Sequence, residues 1–123
     1  MAKFLTQLEV RALQKYDEGR SLWELVHPLV YQSDILLAPV DVPEGFVTDF
    51  ASVPRIPVAY LLMNDVGQPA AVIHDYLYRF ATCTRAQADE VLEEALNVLG
   101  VSWWRRKAMW TAVRLAGWGA YKG

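Results

Sequence analysis

His74-Asp75-Tyr76-Leu77-Tyr78, with Asp89 eleven residues beyond Tyr78, is the stretch that decides how this chain folds. Here polar residues occupy helix positions that the apolar pattern assigns to an interior. A carboxylate and an imidazole taken out of water need partners, and these can supply each other. Gly67 to Phe80 reads as one helix and Thr84 to Leu99 as the next. Only Ala81, Thr82 and Cys83 join them, so the pair is expected to form an antiparallel hairpin. His74 and Tyr78, four residues apart, share a face. On the second helix Ala88, Leu92, Ala95, Leu96 and Leu99 make an apolar stripe; Asp89 sits inside it, while Glu90, Glu93 and Glu94 lie largely off it. Folding about Thr82 or Cys83 brings Asp89 opposite roughly residue 76, within one turn of His74 and Tyr78. A His74–Asp89–Tyr78 cluster follows.

Such a cluster has two readings. In the chemical one, Asp89 fixes the tautomer and orientation of His74, whose other nitrogen accepts a proton from water or a substrate hydroxyl, while Tyr78 satisfies a second lone pair of Asp89. Asp75, about 100° round the helix from His74, points to a neighbouring wall. With oxygens of the segment 48–55 it could hold a hard cation beside the base. In the structural reading the same residues are a polar network that pins two helices and turns nothing over. Ser52 lacks a Gly-x-Ser-x-Gly setting, and the neighbours of Cys83 single out no base, so no nucleophile is signalled.

A chain of 123 residues is one domain with enough length for a real core. The single Cys83 excludes an intramolecular disulfide, and no Cys/His spacing resembles a structural zinc site. Residues 1–22 lack a signal-peptide pattern and no apolar run is long enough to span a membrane, so a soluble protein is expected. The net charge of −2 argues against general nucleic-acid binding. It is uneven: residues 1–65 carry five basic and nine acidic groups, residues 66–123 seven and five. Five Trp and six Tyr exceed what a small core needs, which points to a contact surface.

Before the hairpin, Phe4, Thr6, Leu8 and Val10 alternate with more polar positions as a strand would. Asp17-Glu18-Gly19-Arg20 is a turn signal; Trp23, Leu25, Leu29 and Tyr31 mark a second strand with Pro28 at an edge or bulge; Ile35 to Val42 is a third extended run. Pro43-Glu44-Gly45-Phe46 turns the chain into Thr48 to Pro57. That segment is either a helix start, capped by Asp49 or Ser52 with Pro54 in its first turn, or a loop whose oxygens meet the His74–Asp75 helix. After the hairpin, Ser102 to about Trp118 reads as a helix. Its expected packing face is Ala108, Ala112 and Leu115 with Trp104 and Thr111; Trp103, Arg106, Lys107, Trp110 and Arg114 form a mixed aromatic and cationic face, a candidate interface.

Val42-Pro43-Glu44-Gly45-Phe46-Val47-Thr48-Asp49-Phe50-Ala51-Ser52-Val53-Pro54-Arg55, His74-Asp75-Tyr76-Leu77-Tyr78, Arg85-Ala86-Gln87-Ala88-Asp89 and the Trp/Arg-rich end together resemble the family catalogued as domain of unknown function 1353, over nearly the whole chain. The resemblance implies a protein of tailed bacteriophages and prophages, and it brings no established activity with it. A second resemblance concerns the helix pair alone. His-Asp-x-x-Tyr followed by Ala-Asp is similar to the active-site helices of phospholipase A2, which implies His74 as the base that activates water, Asp75 as a calcium ligand, Tyr78 as the supporting tyrosine and Asp89 as the orienting carboxylate. The Gly-rich calcium loop and interhelical disulfide of that family are absent, so Asp49 and the oxygens of Thr48, Ser52 and the stretch to Arg55 would have to complete an ion site. The expectation is an α+β domain with a small antiparallel sheet over 3–47 and three or four helices over 54–119. Functionally it is a phage protein with a phospholipase-like site, a calcium-assisted hydrolase of host-envelope esters or amides, or a non-enzymatic tail component that contacts other phage proteins.

Overall fold

The computed structural model of the chain describes residues 1–17, 20–48, 66–116 and 121–122. It is an α+β arrangement: six short strands precede three helices among these residues. The strands are β1 (Lys3–Phe4), β2 (Val10–Asp17), β3 (Arg20–Leu25), β4 (Leu29–Gln32), β5 (Val40–Val42) and β6 (Val47–Thr48). The expected single sheet is instead two three-stranded antiparallel sheets, ordered β1-β4-β5 and β2-β3-β6. The run expected to be one strand from Trp23 to Tyr31 is cut between Leu25 and Leu29. At the cut, the Thr6 hydroxyl donates to the Pro28 carbonyl and accepts from the Val30 amide. Leu25 exchanges backbone bonds with Phe46 and Gly45 instead. Gly45, at φ 90°, sits where the Pro43–Phe46 turn needs a left-handed residue. Of Ile35 to Val42 only the last three residues join a ladder.

In the β1-β4-β5 sheet Leu29, Tyr31, Val40 and Val42 are buried, and the sheet packs on the helical hairpin. The hairpin is α1 (Gln68–Phe80) and α2 (Arg85–Val98). Pro69 opens α1, and Ala81, left-handed at φ 49°, closes it with its amide on the Leu77 carbonyl. Thr84 starts α2 through a capping box: its hydroxyl accepts from the Gln87 amide while the Gln87 side chain accepts from the Thr84 amide. Buried Ala70, Ala71, Ala88 and Ala95 lie among Leu77, Leu92 and Leu96, each leucine worth about 1.5–3 kcal/mol of apolar transfer. From α2 to α3 (Trp103–Ala116) the chain turns through Gly100 at φ 85°. The Gly100 amide bonds the Asn97 carbonyl and the Val101 amide that of Leu96, the paired bonds of a Schellman motif, with Val101 buried.

The faces of α3 depart from expectation. Among its described side chains Met109 and Val113 are buried, whereas Trp104, Thr111 and Leu115, expected to pack, are exposed. The inward cations found partners that a hydropathy pattern does not reveal: Arg106 donates to the Val101 carbonyl at 2.9 Å, Lys107 meets Glu93 at 2.7 Å, and Arg114 reaches Asp89. Pairing of these charged heads, with apolar stems alongside, turned the helix. The expected helix from Pro54, with its cap at Asp49 or Ser52, lies outside the described residues.

Candidate functional site

The interior of the helical layer is organised on Asp89 more than on His74. Asp89 sits in the first turns of α2, set there by the Thr84 cap, and is wholly buried. His74 and Tyr78, one turn apart on α1, both face it: His74 Nε2 donates to Asp89 Oδ1 at 2.7 Å, and the Tyr78 hydroxyl donates to the same oxygen at 2.5 Å. The imidazole and phenol rings lie 4.1 Å apart between centroids. The other carboxylate oxygen, Oδ2, accepts from Arg114 Nη1 of α3 at 2.8 Å. Arg85, one turn before Asp89 on α2, stands 3.8 Å from that oxygen. It spans to α3, donating to the carbonyls of Val113 at 3.0 Å and Arg114 at 3.2 Å. One carboxylate thus joins three helices.

The chain's C-terminal residues close the same region. Tyr121 packs edge-on against Tyr78, its hydroxyl donating to the Cys83 carbonyl at 2.5 Å, and the Lys122 amide bonds the Tyr78 carbonyl at 3.0 Å.

The electrostatics favour an ionised aspartate beside a neutral histidine. Burial pushes the Asp89 carboxyl up, but hydrogen bonds from His74, Tyr78 and Arg114 outweigh it and hold the group below its ordinary range. Burial pulls His74 down, against the hydrogen bond and charge of Asp89, and the Arg85 cation pulls the same way. The buried negative charge is already met by two guanidinium groups, so an imidazolium would be an uncompensated addition. Nε2 therefore carries the proton that Asp89 accepts. Burial and the Asp89 bond push the Tyr78 phenol up, keeping it a donor. Burial also raises Cys83, which leaves a thiol and not a thiolate.

Of the residues singled out from sequence, His74, Tyr78 and Asp89 come together. Asp75 points elsewhere and pairs with Arg79 at 3.0 Å, one turn along the same helix, with the Arg79 guanidinium over the Phe46 ring. Thr48 is buried in β6, paired with Trp23. Asp49, Ser52 and Arg55 lie outside the described residues. For calcium, the described residues do not fit: Asp75 shares its carboxylate with a cation, and no group of three acidic, His or Cys side chains converges among them. Trp103 is exposed, Trp110 half-buried, and Arg114 turned inward. Arg85 and Arg114 are the members that sequence reasoning missed. The spacing Arg85 to Asp89 was a local signal for one; Arg114 had none, because only the docking of α3 brings it near.

The clefts lined wholly by described residues include two. One, of about 560 Å³, opens between the 35–41 loop and the hairpin turn, with Tyr76, Cys83 and Gln87 on its wall. The other, of about 500 Å³, lies between Phe4–Leu8 and the start of α1. Neither includes His74, Tyr78 or Asp89 in its lining, and the His74 side chain is 0% exposed.

Residues 23–113 match a known protein family, the one described as "Protein of unknown function (DUF1353)". No curated protein and no solved structure matches the chain.

Proposed function

The chain belongs to that family, and from this premise we propose that it acts by binding, as a non-enzymatic bacteriophage component in a tail or tail tip. The Asp89 cluster is then its internal scaffold. The observation that carries this reading is the enclosure of the cluster: a neutral, fully buried His74 donates to a carboxylate whose second oxygen is held by Arg114. A general base must meet the proton it removes, directly or through one water. In this reading the partners are other phage proteins or the host envelope, and the protein works in the virion or host cytoplasm. No described helix is long and apolar enough to cross a membrane.

The second reading is a phospholipase A2-like hydrolase of host-envelope esters or amides. It is favoured by the Nε2–H to Asp89 bond, which assigns proton acceptance to Nδ1, and by Tyr78 on the same oxygen. In it His74 takes a proton from water while Asp89 and Tyr78 hold the ring. Calcium carries no step of it among the described residues. One assay separates the two: release of fatty acid from phospholipid and of products from peptidoglycan, with and without calcium, by the wild type and His74→Ala. Binding function predicts no turnover by either and a lower melting temperature for His74→Ala. Turnover by the wild type that His74→Ala abolishes while still folded would overturn it.

A further inference from the structure

The outer edge of α3 carries a chemistry that neither reading of the Asp89 cluster uses. Trp103 and Trp104 stand side by side at the start of the helix, 65% and 62% exposed, and Leu115 at its far end is 76% exposed. Trp104, Ala108, Thr111 and Leu115 follow at intervals of four, three and four, so they form one stripe along the helix. Arg105 follows directly on the tryptophans, while Arg106 turns inward to the Val101 carbonyl. Arg105 has no carboxylate partner among the described residues, and its Nε is buried without a hydrogen-bond partner. Arg105 lies over the Trp104 ring, 5.9 Å from its centroid, and leaves its charge available. No acidic residue occurs anywhere in α3.

We infer that this edge of α3 docks on an anionic lipid surface, the tryptophans entering the headgroup layer and Arg105 meeting lipid phosphate. Two observations favour lipid over a protein partner. Arg105 stands at this edge with no acidic side chain in α3 to offset it, which complements an anionic surface. Paired exposed Trp beside Arg is the composition that settles at a membrane interface, one part of each side chain apolar and one part polar. The inference is independent of whether His74 is catalytic, because it places no demand on the buried cluster.

The test is co-sedimentation of the full chain with phosphatidylglycerol vesicles and with phosphatidylcholine vesicles, at low and high salt. The expected result is binding to phosphatidylglycerol that high salt removes, and little binding to phosphatidylcholine. Trp103→Ser with Trp104→Ser, and separately Arg105→Glu, should each weaken partition about fivefold or more without lowering the melting temperature. Absence of binding, equal binding to both lipids, or full binding by these folded variants overturns the inference. So does concentration-dependent self-association without vesicle binding, lost in the double Trp variant, which would make the edge a contact between copies of the chain.

Discussion

Asp89 is enclosed by three helices and accepts from His74, Tyr78 and Arg114, whereas Asp75, on the facing helix, lies near the edge and holds Arg79 on its own helix. The two carboxylates are chemically identical and fourteen positions apart. The Asp75 pair spans one turn and joins a largely buried carboxylate to Arg79, whose side chain is 42% exposed; pairs open to water on one side contribute about 0.2–1 kcal/mol. The Asp89 network has exchanged all of its water for protein donors. Its net worth against an apolar core is modest, but removal of one member strands the others, at about 3–5 kcal/mol. The contrast concerns failure more than strength.

The largest expected effect therefore comes from Asp89→Asn, which keeps the shape and strands Arg114: a loss of about 3–5 kcal/mol, read from urea denaturation. A loss below 1 kcal/mol would place Asp89 in the same class as Asp75 and erase the comparison. The second effect is one of pH. His74 lies below its ordinary value of 6.5 in the folded protein because of burial, so as pH falls the unfolded chain takes up that proton first. Stability is then complete above about pH 6.5 and declines as pH drops below it. Asp89, also depressed, adds a further decline once pH falls below its ordinary value of 3.8. At the other end, the raised Tyr78 loses stability as pH climbs above about 10, where the unfolded phenol ionises. Urea midpoints at pH 8, 6 and 5 check the histidine limb, which His74→Gln should flatten; an equal midpoint at pH 8 and 5 contradicts a buried neutral imidazole. The smallest effect belongs to Asp75→Asn, within about 1 kcal/mol and reduced by salt. A larger loss would show that Asp75 has a structural duty beyond Arg79.

The hairpin and its cluster were legible because their signals are local or one turn apart. Thr84 with Gln87, Pro69 near the start of α1, and His74 with Tyr78 all lie within four residues of their partners or boundaries. Asp89 stood out as the charge inside an apolar stripe. The division into two sheets was not legible, because it depends on Leu25 bonding Gly45 and Phe46, some twenty residues away, in preference to continuing into β4. Part of α3 turned against expectation for a related reason. Arginine counts as polar in any periodicity argument, yet Arg114 has a buried carboxylate to reach while Trp104 stays largely exposed. A helix with two amphipathic edges is decided by its partners.

Arg85 draws on α3 in a way that sets more than adhesion. Its two terminal nitrogens grip the carbonyls of consecutive residues, Val113 and Arg114, while the side chain of Arg114 returns to Asp89 on the same helix as Arg85. The two arginines form a reciprocal clasp that fixes both how far α3 slides along α2 and how it is turned. It acts as a phase gauge. One residue inserted between Met109 and Thr111 would advance Arg114 by about 1.5 Å and rotate it by about 100°, taking both halves of the clasp out of phase together.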